Sequence, residues 1–78
     1  MGRKADRNIN ATLLGERIRQ ARLAKHWTQE ELAHAAGLDR AYLGSLERGE
    51  RNPSLATLVR VAKVLGVTMA SLVADLPR

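Results

Sequence analysis

Arg40, Ala41, Tyr42 and Ser45 fall within six positions of one another, and their side chains could grip the edge of a flat, polar ligand. A guanidinium such as that of Arg40 forks onto two adjacent acceptors, and guanine O6 and N7 are such a pair. Ala41 suits contact with a thymine methyl, and Ser45 could bond a base or a phosphate. Tyr42 could bond a phosphate, lean on a pyrimidine, or serve as partial packing. Arg48, Arg51 and Asn52 follow as candidate phosphate clamps, with an ordinary solvated surface residue as the alternative for each. Thr28 and Gln29 stand upstream at the start of a helical pattern, where free N–H groups and the positive end of the helix dipole suit an anion.

Other chemistries lack their residues. The 78-residue chain has no Cys, and His26 and His34 lie eight apart without acidic or Cys partners at ligand spacing. A metal site is therefore not expected, and no cofactor is implied. There is no G-x-x-x-x-G-K-S phosphate loop and no His with an acid–base partner, so an enzyme is not expected. Trp27 and Tyr42 are the sole aromatics, too few for a single-strand stacking platform.

Capping and periodicity show which elements must hold these residues. Thr28 and Glu31 form a T-x-x-E capping box. Leu32, Ala33 and Ala36 then recur at helical spacing, and Gly37 suits the left-handed residue that ends a helix. Asp39 caps a second helix, placed at Leu38 to Arg48, and could also orient the Arg40 guanidinium. Leu38, Leu43 and Leu46 face inward; Arg40, Ala41, Gly44 and Ser45 lie on or near the outward face. Gly44 costs about 1 kcal/mol of helix propensity relative to Ala, which implies close approach either to DNA or to another helix. Two helices of about two turns, joined by a short turn containing Gly, make a helix-turn-helix, whose second helix enters the DNA major groove.

The flanks complete an all-α, compact five-helix bundle. A first helix is predicted over Thr12 to Lys25, with Thr12 as its cap. Leu14, Ile18 and Ala21 point inward with Leu23 or Ala24 beside them, while Arg17, Arg19 and Lys25 lie in solvent. Trp27 precedes the Thr28 cap, the staple position, and should pack on Leu32 or a neighbour. Ser54 caps a fourth helix with Leu55, Leu58, Ala62 and Leu65 as its buried stripe and Val61 alongside. Thr68 caps a short fifth helix containing Met69, Leu72, Val73 and Leu76, and Pro77 stops it. Residues 1–11 read as a flexible basic arm, either laid along DNA or left as a solvated tail, and residues 12–76 as one folded domain.

Formal net charge is +5, unevenly spread. Residues 1–25 carry seven basic and two acidic side chains, whereas residues 28–51 carry three basic and five acidic. A polyanionic partner is favoured, but a few placed arginines and helix N-termini must hold it, not bulk charge. No apolar run approaches ~20 residues, so a membrane span is not expected. A small Cys-free chain fits a reducing cytoplasm.

Three strings, W-T-Q-E-E-L-A-x-x-A-G-L, Y-L-x-x-L-E-R-G and N-P-S-L-x-T-L, closely resemble the Cro/cI-type (XRE-like) helix-turn-helix family, over roughly Leu14 to Leu72. Asp39-Arg40, Tyr42 and Arg51-Asn52 look most like the controller proteins of restriction–modification systems within it. The resemblance implies a lambda-repressor-like DNA-binding domain. It implies that Arg22 pairs with Glu47, against the alternative of an exposed Arg on a basic face. It also implies that Gln29 touches a backbone phosphate and braces the recognition helix. Val64, Val67, Met69, Leu72, Val73 and Leu76 are then a two-fold dimer interface; otherwise this apolar group closes the monomer core. The function implied is a cytoplasmic, nucleoid-associated regulator of bacterial or phage type, a homodimer on near-palindromic double-stranded DNA. Repression and activation both stay open; activation needs contact with RNA polymerase, to which Glu47 or Glu50 could contribute. The alternative reading is a protein-binding module such as an antitoxin.

Overall fold

The computed structural model describes residues 9–74 and contains α1 (Ile9–Ala24), α2 (Gln29–Ala36), α3 (Arg40–Glu47), α4 (Leu55–Leu65) and α5 (Met69–Val73). No strand occurs among the described residues, in keeping with the expected five-helix, all-α bundle. Four of the helices start on the predicted side-chain oxygens. Thr28 accepts from the Glu31 N–H, Asp39 from Tyr42, Ser54 from Thr57 and Thr68 from Ser71. Each cap satisfies an amide of the first turn that no helical carbonyl can reach.

Helix ends are equally local. Gly37 and Gly49 adopt φ of 69° and 77°, a left-handed conformation that costs glycine little. At the end of α3, the Glu50 N–H donates to the Ser45 carbonyl and the Gly49 N–H to that of Leu46, both at 3.0 Å. These paired bonds are the Schellman closure. α1 closes in the same way without glycine. His26 has φ 60°, its N–H reaches the Leu23 carbonyl at 2.9 Å, and the Trp27 N–H reaches that of Arg22 at 3.2 Å.

α1 corrects the expected start. It takes in Ile9, Asn10 and Ala11, so Thr12 lies within the helix and is not its cap. Ala11 is buried, a tertiary contact that a run of polar neighbours conceals. Thr12 instead lies against Gly49, where an added Cβ would fall 2.7 Å from the Thr12 Cα. The expectations for the arm at residues 1–8, and for Leu76 and Pro77, lie outside the described residues.

Ile18, Leu32, Leu43, Leu46, Val61 and Leu72 are the largest wholly buried side chains. α1 packs across α3, α2 packs on α3 and α4, and α5 closes against α1 and α4. α1 meets α3 at Gly15, where a Cβ would stand 2.2 Å from the Leu46 carbonyl oxygen and 2.8 Å from that of Glu47. Only a residue without a side chain allows two backbones to approach so closely.

Three further expectations are corrected by packing. Leu23 and Ala24 are exposed and do not flank the core. Leu55 is 71% exposed, because α4 turns Leu58, Val61, Ala62 and Leu65 inward and its first turn projects past the core edge. Arg17 is half-buried; its guanidinium donates to the carbonyl oxygens of Leu72, at 3.4 Å, and Ala74. It thus serves carbonyls at the end of α5 that lack helical partners. Among the described residues no helix is long and apolar enough to cross a membrane.

Candidate nucleic-acid interface

The site begins in the core. Arg22 Nε and Nη2 donate to the two carboxylate oxygens of Glu47 at 2.7 and 3.0 Å, and its Nη1 donates to the Trp27 carbonyl at 2.7 Å. Side-chain exposure is 9% for Arg22 and 2% for Glu47. This fork–fork pair ties α1 to the last residue of α3 and to the joint before α2. Gln29, the first residue of α2, adds its Nε2 to the same Glu47 carboxylate at 3.0 Å. Its Oε1 accepts from Arg40 Nη1 at 3.4 Å. A chain of polar contacts therefore runs from α1 through α3 and α2 to the exposed guanidinium of Arg40.

Gly44 is explained by the same arrangement. It is buried, and a Cβ there would lie 3.2 Å from Arg48 Nη1 and 3.6 Å from Gln29 Oε1. The absent side chain makes room for the Gln29 and Arg48 head groups, so within the domain the close neighbour is polar side chain of α2 and of α3's own end. Gly44 is correspondingly covered, not outward-facing.

Of the expected base readers, Arg40 and Ala41 are exposed on the first turn of α3. Tyr42 is half-buried and packs on the core. Ser45 is buried at 9% exposure, and its hydroxyl donates to the Tyr42 carbonyl at 2.6 Å, which corrects its placement on the outer face. Its oxygen keeps acceptor capacity only. Asp39 caps α3, while Arg40 turns to Gln29. Asp39, Ala41, Tyr42, Ser45 and Arg51 line a hollow of about 280 Å³, which brings Arg51 beside the first turn of α3.

Of the expected phosphate contacts, Thr28 closes the capping box, with Glu31 Oε1 receiving its N–H at 2.8 Å and Thr28 Oγ1 receiving the Glu31 N–H at 3.0 Å. That box does not use the Gln29 and Glu30 amides, which remain donors at the positive end of the dipole. Arg51 and Asn52 are exposed in the loop after α3. Arg48 is exposed but engaged: its Nε and Nη2 donate to the Glu50 carboxylate at 2.9 and 3.1 Å. Glu50 beside it raises the Arg48 pKa above its ordinary value. Glu50, an acidic residue, is not expected on a face that holds phosphates. Its signal is the R-G-E string after a helix, because a Schellman closure folds the residue after Gly back toward the helix end.

A larger hollow of about 610 Å³ lies on the other side of α2, lined by Trp27, Thr28, Glu30, Glu31, His34 and Ala35. Its two carboxylates disfavour a phosphate. Among the described residues no group of three or more His, Cys, Asp or Glu could hold a metal ion. At the end of α4, in the joint after it and in α5, Val64, Val67 and Met69 are half-buried against the core and Val73 is 40% exposed. Leu72, expected at a dimer interface, is 2% exposed and belongs to the monomer core.

The sequence model described as Helix-turn-helix matches residues 18–72, which include the whole of α2, α3 and α4. The chain belongs to the XRE-type helix-turn-helix family. It is 43% identical over 60 residues to Control protein C.SmaI of Serratia marcescens, covering 77% of this chain and 71% of that one. It is 45% identical over 56 residues to Control protein C.BamHI of Bacillus amyloliquefaciens, covering 70% and 69%. The crystal structure of the restriction-modification controller protein C.AhdI from Aeromonas hydrophila superposes with a TM-score of 0.77 at 42% identity, covering 80% of this chain and 94% of that one. SinR in complex with DNA superposes with a TM-score of 0.73 at 42% identity, covering 76% and 95%. This helix-turn-helix protein is therefore a DNA-binding transcriptional regulator, not an enzyme, and is close to restriction–modification controller proteins.

Proposed function

We propose that the protein works as a homodimeric controller-type regulator that reads a near-palindromic duplex site. The observation that carries this reading is the exposed Arg40 guanidinium at the start of α3, held from behind by Gln29 and the buried Arg22–Glu47 pair. Arg40, Ala41 and Tyr42 read base edges, with Ser45 limited to accepting a bond. Thr28, Gln29, Arg48, Arg51 and Asn52 hold backbone phosphates. These positions suit a helix whose first turn meets the bases while neighbouring elements straddle the backbone.

Dimerisation uses Val64, Val67, Met69 and Val73, an apolar group at the end of α4 and in α5 that the monomer leaves only partly covered. A two-fold pair sets the recognition helices about 10 bp apart, one turn of the duplex. Any polymerase contact runs through Glu50 and not Glu47, because Arg22 and Gln29 hold the buried Glu47 carboxylate. The protein then acts in the cytoplasm, on the nucleoid.

Selection from a random duplex pool at about 150 mM salt, where non-specific binding is suppressed, tests the reading. Enrichment of a palindrome with half-sites about one turn apart is the expected result. Recovery of no preferred sequence would overturn it and favour the antitoxin alternative, to be checked by seeking a co-purifying protein.

A further inference from the structure

We propose that Glu50 competes with DNA phosphate for Arg48, so that an acidic residue on the binding face sets how tightly the protein holds any duplex. The inference rests on the DNA-binding reading of α3 and its following loop.

Residues two apart in a helix do not face each other. Arg48 and Glu50 meet because α3 has ended between them. Arg48 is the last helical cap residue, and Gly49 takes φ 77°. The Glu50 N–H then returns to the Ser45 carbonyl at 3.0 Å, which anchors Glu50 beside the turn it has just left. From there its carboxylate takes Nε and Nη2 of Arg48 at 2.9 and 3.1 Å. The remaining nitrogen, Nη1, lies over Gly44, 3.2 Å from where a Cβ would stand.

The edge of the guanidinium formed by Nε and Nη2 is one of the two edges through which an arginine takes a phosphate in a bidentate contact. Glu50 occupies it with the same geometry and the same sign of charge as a phosphate. Arg48 and Glu50 side chains are 59% and 55% exposed, so water and a phosphate both reach the pair. An exposed ion pair is weak, worth no more than a few-fold in an equilibrium, so DNA displaces Glu50 readily but loses that factor in affinity. Salt loosens the Arg48–Glu50 pair while it screens the phosphates. The two effects oppose each other and flatten the salt dependence.

The test uses the full chain with two duplexes, the one recovered by selection and a scrambled one of equal length. Glu50→Gln is expected to bind both about two- to fivefold more tightly, with a steeper salt slope. Removing any acidic residue weakens long-range repulsion, so the deciding comparison is made in an Arg48→Ala background. There the gain from Glu50→Gln is expected to fall to less than half. An equal gain in both backgrounds, or no gain with Arg48 present, overturns the proposal. Thermal melts of all four proteins check that they fold, and both side chains are exposed enough that no loss of folding is expected. Failure of the selection would count against the sequence-specific reading alone, because the scrambled duplex still reports the competition.

Discussion

Arg22 and Glu47, twenty-five positions apart, form a buried pair with both carboxylate oxygens engaged, at 2.7 and 3.0 Å. One end of the pair belongs to α1 and the other to the last residue of the recognition helix. The pair therefore fixes where the reading helix sits relative to the rest of the domain. Losing one partner strands the other's charge in a dry site. Arg22→Met is expected to cost about 3–5 kcal/mol, and Arg22→Met with Glu47→Leu to recover most of that loss. Urea denaturation of the single and double variants checks it; a double variant no more stable than the single would count against the stranded-charge account.

Two glycines predict different outcomes for the same substitution. At Gly15 a new Cβ meets the Leu46 carbonyl at 2.2 Å, and backbone cannot move aside cheaply. Gly15→Ala should lose about 1–3 kcal/mol despite better helix propensity. At Gly44 the neighbours are the ends of the Arg48 and Gln29 side chains, at 3.2 and 3.6 Å. Gly44→Ala should leave stability within about 1 kcal/mol of the parent, since propensity offsets the crowding. Its DNA affinity should fall, because both displaced groups belong to the proposed phosphate contacts. Melting and anisotropy titration, run in parallel, separate the two effects.

His26 holds a left-handed conformation, φ 60°, at a helix end where glycine is the residue of least strain. His26→Gly should raise stability by about 1 kcal/mol, since L-residues lose roughly that much in this region. The gain should appear as a later denaturation midpoint with an unchanged slope. An earlier midpoint would show that the His26 side chain stabilises the joint by more than its backbone strains it.

Arg40 and Arg51 are both exposed, one on the first turn of α3 and one in the loop after it, yet their expected roles differ. Arg40→Ala should relax preference at one base pair per half-site by about 1–3 kcal/mol. Arg51→Ala should weaken all duplexes alike and reduce the salt slope by about one unit. Repeating the selection with each variant distinguishes them; an unchanged preferred sequence for Arg40→Ala would remove Arg40 as the reader.

Much of this protein is written in short stretches. Thr28, Asp39, Ser54 and Thr68 cap their helices from within four residues, and Gly37 ends α2 by its own backbone freedom. The period of Leu32, Ala36, Leu43 and Leu46 fixes which faces turn inward. Capping and periodicity are local interactions, so they survive in the sequence as signals. The Arg22–Glu47 pair was legible only through resemblance to a family, because nothing in the residues alone links two distant charges. Tertiary structure alone decided the rest. It carried α1 back to Ile9, gave Leu72 to the core, put Arg17 on the end of α5, and covered Gly44 with Gln29 and Arg48. It also made Gly15 the point where two backbones touch. Each of these depends on which surfaces meet when the helices pack, and that is a property of the assembled bundle, not of any one segment.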